Sequence, residues 1–345
     1  MNLDRSRWLT PTDTPMWIGL DVGGANLKAA DGRAVSVSEP FELWKRPDDL
    51  PEAVQRLLAK FDLAPIALTM TGELADCFAT KGEGVRAIVD AVTEASGGRE
   101  VRVATVDDRW LTPGEAKSFP PLVAAANWRV AARLVASTLT TDSAAWIDAG
   151  STTIDVIPLR GGRVASRGAT DTERLLNGEL VYTGVRRTPV CAVVVSLPYR
   201  GDACPVAAEW FATTADAWLL LGELDADPTN TETADGRPFT PEASVARLAR
   251  CFGADSETFT REDAQQAAEA IANAQQQTLL SAMTRASLRS ELCVLSGEGE
   301  FLARRALEGR YQVFSLQKGL GPKASHPLPA HAAAVLASIE LGSQP

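Results

Sequence analysis

Ile18-Gly19-Leu20-Asp21-Val22-Gly23-Gly24-Ala25-Asn26-Leu27-Lys28-Ala29-Ala30 and Trp146-Ile147-Asp148-Ala149-Gly150-Ser151-Thr152-Thr153-Ile154-Asp155-Val156-Ile157 are two versions of one pattern. Each runs apolar into an Asp, passes a glycine turn and returns as a second apolar run. That is the signature of a strand, a tight turn and an antiparallel strand. Superposed, Asp21 falls on Asp148, Gly23 on Gly150, Gly24 on Ser151, Leu27 on Ile154 and Lys28 on Asp155. A pattern that restarts in the same frame after a strand entry reads as an internal structural repeat. It predicts two α/β halves, 1–142 and 143–345, the second carrying a substrate-binding insertion.

The elements around the two hairpins fit that division. Residues 51–61 read as a helix, with Pro51 at its start and Val54, Leu57, Leu58 and Phe61 on one face. Ile66–Met70 reads as a strand, 84–96 as an amphipathic helix stopped by Gly97-Gly98, and 101–106 as a strand. The Ala-, Val- and Leu-rich stretch 122–139 reads as one buried helix. In the second half, 198–240 is less regular and 241–290 is helical. A strand at 292–295 then meets a third glycine turn, Ser296-Gly297-Glu298-Gly299, and 330–341 is a closing helix. The alternation of strands and helices defines an α/β protein. Residues 1–15, polar with two prolines, read as a loose arm.

Composition narrows the function classes. The chain has 345 residues, enough for about two domains. With 34 Lys and Arg against 44 Asp and Glu, its net charge of -10 argues against a nucleic-acid binder, which needs a basic face. The only two histidines, His326 and His331, lie late in the chain, which weakens a His-rich metal site or a Ser-His-Asp triad. Five scattered cysteines, none in a CxxC pair, read as reduced thiols of a cytoplasmic protein. The first residues lack the apolar run of a signal peptide, and no apolar stretch is long enough to span a membrane.

Glycine turns expose backbone N–H groups to an anion, and an Asp at the end of the preceding strand can hold Mg2+. A lone turn of this kind is more often a plain hairpin; two in one frame, with the third at 296–299, point to ligand binding. The arrangement resembles the superfamily of actin, sugar kinases and Hsp70 (ASKHA). That resemblance implies a two-lobed fold with duplicated subdomains, a ligand cleft between them and the two turns facing each other across it.

A closer resemblance covers most of the chain. It rests on IGLDVGGANLKAA (18–30), LTMTGELADCFATKGEGV (68–85), WIDAGSTTIDVIPL (146–159), GATDTERLLNGELVYTGVRRTPV (168–190) and TADGRP (233–238). These segments are similar to hydantoinase/oxoprolinase-related proteins linked to tetrahydromethanopterin one-carbon pathways, including those of methanofuran biosynthesis. The resemblance implies a transferase. It would join an aminomethylfuran-methyl diphosphate to a phenolic acceptor of tyramine or tyrosine type, forming an aryl ether and releasing pyrophosphate.

That chemistry requires a cradle for the leaving diphosphate and a base for the phenol. Gly23, Gly24, Gly150, Ser151 and Thr152 are the expected cradle, with Lys28 as a phosphate contact or, equally, a salt-bridged strand residue. Asp21 and Asp148 are the expected Mg2+ ligands and catalytic carboxylates. Glu73 or Asp76 is expected to take the phenol proton or bind the substrate amine; the alternative is helix capping by Thr71 with Glu73 in the first turn. Thr71, Arg174, Arg186 and Arg187 are expected to bind substrate, the arginines through an anionic end; ordinary surface ion pairs are the alternative. Cys77 reads as a packed thiol. ATP is not expected, although a small-molecule kinase, a hydantoinase or oxoprolinase activity and an actin-like scaffold remain competing readings. The expected partners are small molecules, neither nucleic acid nor membrane, and a homo-oligomer is left open.

Overall fold

The computed structural model describes residues 4–288, 290–320 and 327–342. In its first part the strands are β1 (Ile18–Val22), β2 (Asn26–Ala30), β3 (Ser36–Pro40), β4 (Ile66–Met70), β5 (Val101–Ala104) and β6 (Trp110–Leu111). Helices α1 (Leu50–Leu58), α2 (Lys81–Ala95), α3 (Pro113–Ser118), α4 (Pro120–Val123) and α5 (Asn127–Thr138) accompany them. There follow β7 (Ser143–Ala149), β8 (Ile154–Arg160), β9 (Arg163–Val164), α6 (Asp171–Asn177), β10 (Leu180–Val181), α7 (Val190–Val193), β11 (Ser196–Tyr199) and β12 (Asp202–Pro205). The remainder is α8 (Thr214–Leu220), α9 (Pro241–Cys251), α10 (Arg261–Arg285), β13 (Leu292–Ser296), α11 (Glu300–Leu307), β14 (Gln312–Ser315), α12 (Leu316–Leu320) and α13 (Leu328–Leu341).

One sheet has the order β3-β2-β1-β4-β5-β6 and the other β10-β8-β7-β13-β14, with β9 on β8. In the first, β1 is antiparallel to β2 and parallel to β4, which is parallel to β5. In the second, β13 and β14 are parallel. The path from hairpin to crossover strand to parallel neighbour is therefore drawn twice, with α2 and α11 as matching crossover helices. This duplicated α/β path is that of the actin-like, sugar kinase and Hsp70 fold.

The chain forms two compact units, each discontinuous in sequence. Residues 1–146, 157–176 and 316–345 make unit 1, and 147–156 with 177–315 make unit 2. The expected single cut at 142/143 thus becomes a boundary that runs through β7 and β8. In unit 1, all five residues of β1 are buried. Helix α1 turns Leu50, Val54, Leu57 and Leu58 into the same core, each such side chain stabilising by roughly 1.5–3 kcal/mol. Helix α13 lies on β1 so closely that a Cβ on Gly19 would overlap the carbonyl of Ala330. In unit 2, α8, α9 and α10 enclose a second core that includes Ala217, Leu248, Phe259 and Ile271.

Two expectations are corrected. The arm at the start is not loose over its described part. Arg5–Trp8 forms a 3-10 turn, Trp8 is buried, and its ring stacks on His331 at 5.6 Å between centroids. The apolar indole, not the polar residues around it, decides that packing. The single helix expected over 122–139 is broken into α4 and α5 by Ala124–Ala126, where Ala125 has a φ of 50°. The nominally irregular stretch 198–240 contains the end of the β11–β12 hairpin and α8. His326 lies outside the described residues.

Candidate functional site

Both glycine turns close with the same bond. Gly23 N–H donates to the Asn26 carbonyl at 3.0 Å, and Gly150 N–H to the Thr153 carbonyl at 2.9 Å. The segment that follows the neighbouring strand, β4 or β13, also anchors each turn in the same way. Thr71 N–H donates to the Val22 carbonyl at 3.0 Å, and Gly299 N–H to the Ala149 carbonyl at 2.8 Å. The third glycine turn, after β13, is thus the counterpart of Thr71-Gly72 after β4. Its glycines are required: a Cβ on Gly297 would overlap the Ala149 backbone, and Gly297 has a φ of 88°.

A following segment takes up the carbonyls of each turn. In unit 1, Leu43 N–H donates to Gly24 at 2.9 Å and Phe41 N–H to Ala25 at 3.0 Å. In unit 2, Val185 N–H donates to Gly150 at 3.1 Å, and Arg186 and Arg187 N–H both donate to Ser151 at 3.1 and 3.0 Å. A trans peptide unit is planar, so its N–H points opposite to its C=O. Fixing the Gly24 and Ser151 carbonyls on one side turns the Ala25 and Thr152 N–H groups to the other. Fixing the Gly150 carbonyl does the same for Ser151 N–H. Among the described residues none of these three N–H groups donates to a protein acceptor. Each turn therefore presents amides suited to an anion.

In unit 1, Asp21 is buried at 2% exposure opposite Thr69 in the β1–β4 register. Its Oδ2 lies 3.9 Å from Lys28 Nζ, whereas Oδ1 has no hydrogen-bond partner among the described residues, nor has Thr69 Oγ1. Burial pushes the Asp21 carboxyl above its ordinary range, with Lys28 opposing. The exposed Thr71 places Oγ1 3.7 Å from where a Gly23 Cβ would stand, and it makes no side-chain cap for the 3-10 turn Gly72–Leu74.

Glu73, in that turn, is 1% exposed and Gly84 packs on its backbone. Burial pushes its carboxyl up, and Oε2 has no partner among the described residues. Lys81 opens α2 and pairs with Asp171, which opens α6, at 3.1 Å. Asp171 also lies 3.8 Å from Arg174, whose buried guanidinium stacks 4.0 Å above the Trp128 ring. Asp76 is exposed. Cys77 is half-buried with Sγ 3.7 Å from the Leu43 carbonyl.

In unit 2, Asp148 is the penultimate residue of β7 and its Oδ1 accepts a bond from Ser296 Oγ at 2.5 Å. Arg186 Nε donates to Glu298 at 2.9 Å, linking the segment after the second turn to the third turn. Arg187 is exposed. The stretch 168–190, read as one segment, is thus divided: Arg174 belongs to unit 1 and Arg186 and Arg187 to unit 2.

The described residues gather no set of three His, Cys, Asp or Glu side chains suited to a metal. A Mg2+ ion at Asp21 would use the one carboxylate, with the unpartnered Asp21 Oδ1 and Thr69 Oγ1 as hard oxygens, and complete its shell with water and phosphate. No helix among the described residues is long and apolar enough to cross a membrane. Sequence reading does not single out Gly184, whose Cβ would overlap the Ser151 carbonyl and Thr152 nitrogen, or Gln275, and it names Ser296 only within the third glycine turn, not as a partner of Asp148. Ser296 had a signal in the glycine turn that it begins; Gln275 had none.

These features belong to a known class. The chain is a member of the hydantoinase/oxoprolinase family, whose profile matches residues 66–314. It is 34% identical, over 94% of its length and 98% of the relative's, to the (4-{4-[2-(gamma-L-glutamylamino)ethyl]phenoxymethyl}furan-2-yl)methanamine synthase of Methanocaldococcus jannaschii. A protein of the same description from Methanococcus vannielii is 27% identical, over 57% of this chain and 92% of that one. Among solved structures, the ethanolamine utilization protein EutJ from Carboxydothermus hydrogenoformans is 14% identical, covers 95% of this chain and 94% of its own, and has a TM-score of 0.46.

Proposed function

We propose that this protein is a cytoplasmic transferase that makes the aryl ether of a methanofuran-type cofactor. The observation that carries the reading is the 34% identity, nearly end to end, to a synthase named for a phenoxymethylfuran. The ether in that name joins a phenol oxygen to a furan-bearing CH2 group. The direct route to it is displacement of diphosphate from that CH2 by the phenol. The C–O bond to diphosphate breaks, the C–O bond to the phenol oxygen forms, and the phenol proton passes to a base.

The residues suit these demands. Each glycine turn offers amides to phosphate oxygens, and Lys28 adds a cation beside the first. Glu73 is a carboxyl whose raised proton affinity suits a base working near neutral pH, and the exposed Asp76 is the second candidate. Thr71 and the arginines Arg186 and Arg187 are assigned to substrate, the arginines to anionic groups; Arg174, buried against Trp128 beside Asp171, is left to packing. Bound Mg2+, held by Asp21 or Asp148, would neutralise charge on the departing diphosphate. ATP has no part in this reaction.

The test is to incubate the protein with furfuryl-type diphosphate and tyramine, γ-glutamyltyramine or tyrosine, and to look by mass spectrometry for the ether and pyrophosphate. Ether formation with stoichiometric pyrophosphate is expected. Absence of ether with every phenol, alongside substrate-dependent ATP consumption, would overturn the reading in favour of a kinase.

A further inference from the structure

Gln275 sits in the middle of α10 with no exposure to solvent, far in sequence from either glycine turn. A primary amide buried in a helix must satisfy two donors and an acceptor, and this one does so. Trp218 Nε1 donates to its Oε1 at 2.7 Å. Its Nε2 donates to Thr183 Oγ1 at 2.8 Å and to the Gly184 carbonyl at 2.9 Å. The orientation is unambiguous, because an indole N–H can only donate and a carbonyl can only accept.

The Gly184 carbonyl also accepts from Thr214 Oγ1 at 2.8 Å, while Gly184 N–H donates to Thr188 Oγ1 at 3.0 Å. The peptide groups at 183–188 are therefore held by α8 and α10. This is the loop whose Val185, Arg186 and Arg187 N–H groups grip the Gly150 and Ser151 carbonyls. Gly184 lies against Ser151 and Thr152 with no room for a methyl group.

We propose that Gln275 is a positioning residue for the second anion-binding turn: through the 183–188 loop it fixes the peptide planes that aim Ser151 and Thr152 N–H at a diphosphate. The proposal rests on the diphosphate reading above for the ligand, but not for the mechanical link. Trp218, packed edge-on against Phe301 at 4.9 Å between centroids, sets the amide's orientation in turn.

The experiment uses the full-length protein, inorganic pyrophosphate with Mg2+ as the probe, and three variants. Gln275→Met keeps the shape without the amide. Gln275→Glu keeps the acceptor for Trp218 but loses the donor to Gly184. Trp218→Phe removes the orienting bond together with part of the buried indole and serves if the other two fail to fold. Calorimetry should show pyrophosphate binding weakened about tenfold in Gln275→Met, with the acceptor's KM unchanged. Hydrogen exchange without ligand should show faster exchange at the Gly150, Arg186 and Arg187 amides in every folded variant.

Unchanged exchange at those amides would overturn the mechanical link. Faster exchange with undiminished pyrophosphate affinity would overturn the positioning role. Wild-type protein that binds no pyrophosphate would overturn the diphosphate reading, and with it the role as stated, whatever the exchange shows.

Discussion

Replacing Arg247 by Met would test how firmly the 225–240 segment is held. Arg247 has no solvent exposure. Its Nε donates to Asp216 Oδ1 at 2.8 Å, Nη2 lies 2.7 Å from the same oxygen, Nη1 reaches Asp235 at 3.0 Å and Nη2 reaches Ser244 Oγ at 3.0 Å. The Met variant keeps much of the volume but strands Asp216, which is 2% exposed, with only Ser244 Oγ and Thr213 N–H as partners. Removing one member of a buried ion pair costs about 3–5 kcal/mol, mostly as the uncompensated charge left behind. A urea titration should show a loss of that size. Replacing Asp216 by Asn in the same chain should recover part of it, because the stranded charge is then gone. Limited proteolysis should cut within Thr233–Pro238, the turn that Asp235 ties to α9, sooner than in wild type. A loss below about 1 kcal/mol with no change in proteolysis would refute the idea that this cluster anchors the turn.

Other outcomes follow from the same geometry. Gly184→Ala should destabilise by about 1–3 kcal/mol through overpacking on the Ser151 backbone and lower turnover about a hundredfold, whereas Gly114→Ala, with open space around it, should do neither; both are read by denaturation and steady-state assay. Glu73→Gln should be more stable than wild type near neutral pH. A carboxyl whose folded pKa is raised keeps its proton after the unfolded chain has lost it, so stability declines as pH rises from the ordinary 4.5 through the folded value; the variant's stability-against-pH curve should lose that slope, apart from the share owed to Asp21. Asp148→Asn should slow turnover about a hundredfold with little change in melting temperature; equal loss of both would mark a structural carboxylate. Arg186→Ala should raise the acceptor's KM roughly tenfold or more and leave the diphosphate's KM unchanged, since partly exposed Glu298 can be solvated once its partner is gone; unchanged constants would leave Arg186 as an ion-pair partner only.

The duplicated hairpins were legible because strand, Asp and glycine lie consecutively in sequence, and β4 was legible to the residue as a bounded apolar run. What depended on distant packing was not. Ala124–Ala126 has good helix propensity, yet the chain turns there and Ala125 takes a left-handed conformation. The arginines of 168–190 looked like one cluster because sequence carries no sign that a unit boundary falls between Arg174 and Arg186. Gln275 lies in a polar Gln-Gln-Gln run in which nothing distinguishes the buried amide from half-buried Gln276 or exposed Gln277. The glycine-turn residues could be named from chemistry alone, but the segments that orient their peptide planes, 41–43 and 185–187, could only be found in three dimensions.

Helix α13, placed on β1 and α5, has a consequence for how the protein is made. The strands of the first sheet emerge early from the ribosome, but the helix that covers β1 is synthesised roughly 195 residues after the N-terminal block of unit 1 ends at Trp146. At ~5–20 residues per second that is about 10–40 s of waiting. During this time Gly19 and its neighbours on β1 lack the Ala-rich surface they are shaped to receive, while most of unit 2 is already complete. The half of the protein that begins first should therefore finish folding last, and nascent chains stalled before Leu328 should expose the β1 face to chaperones.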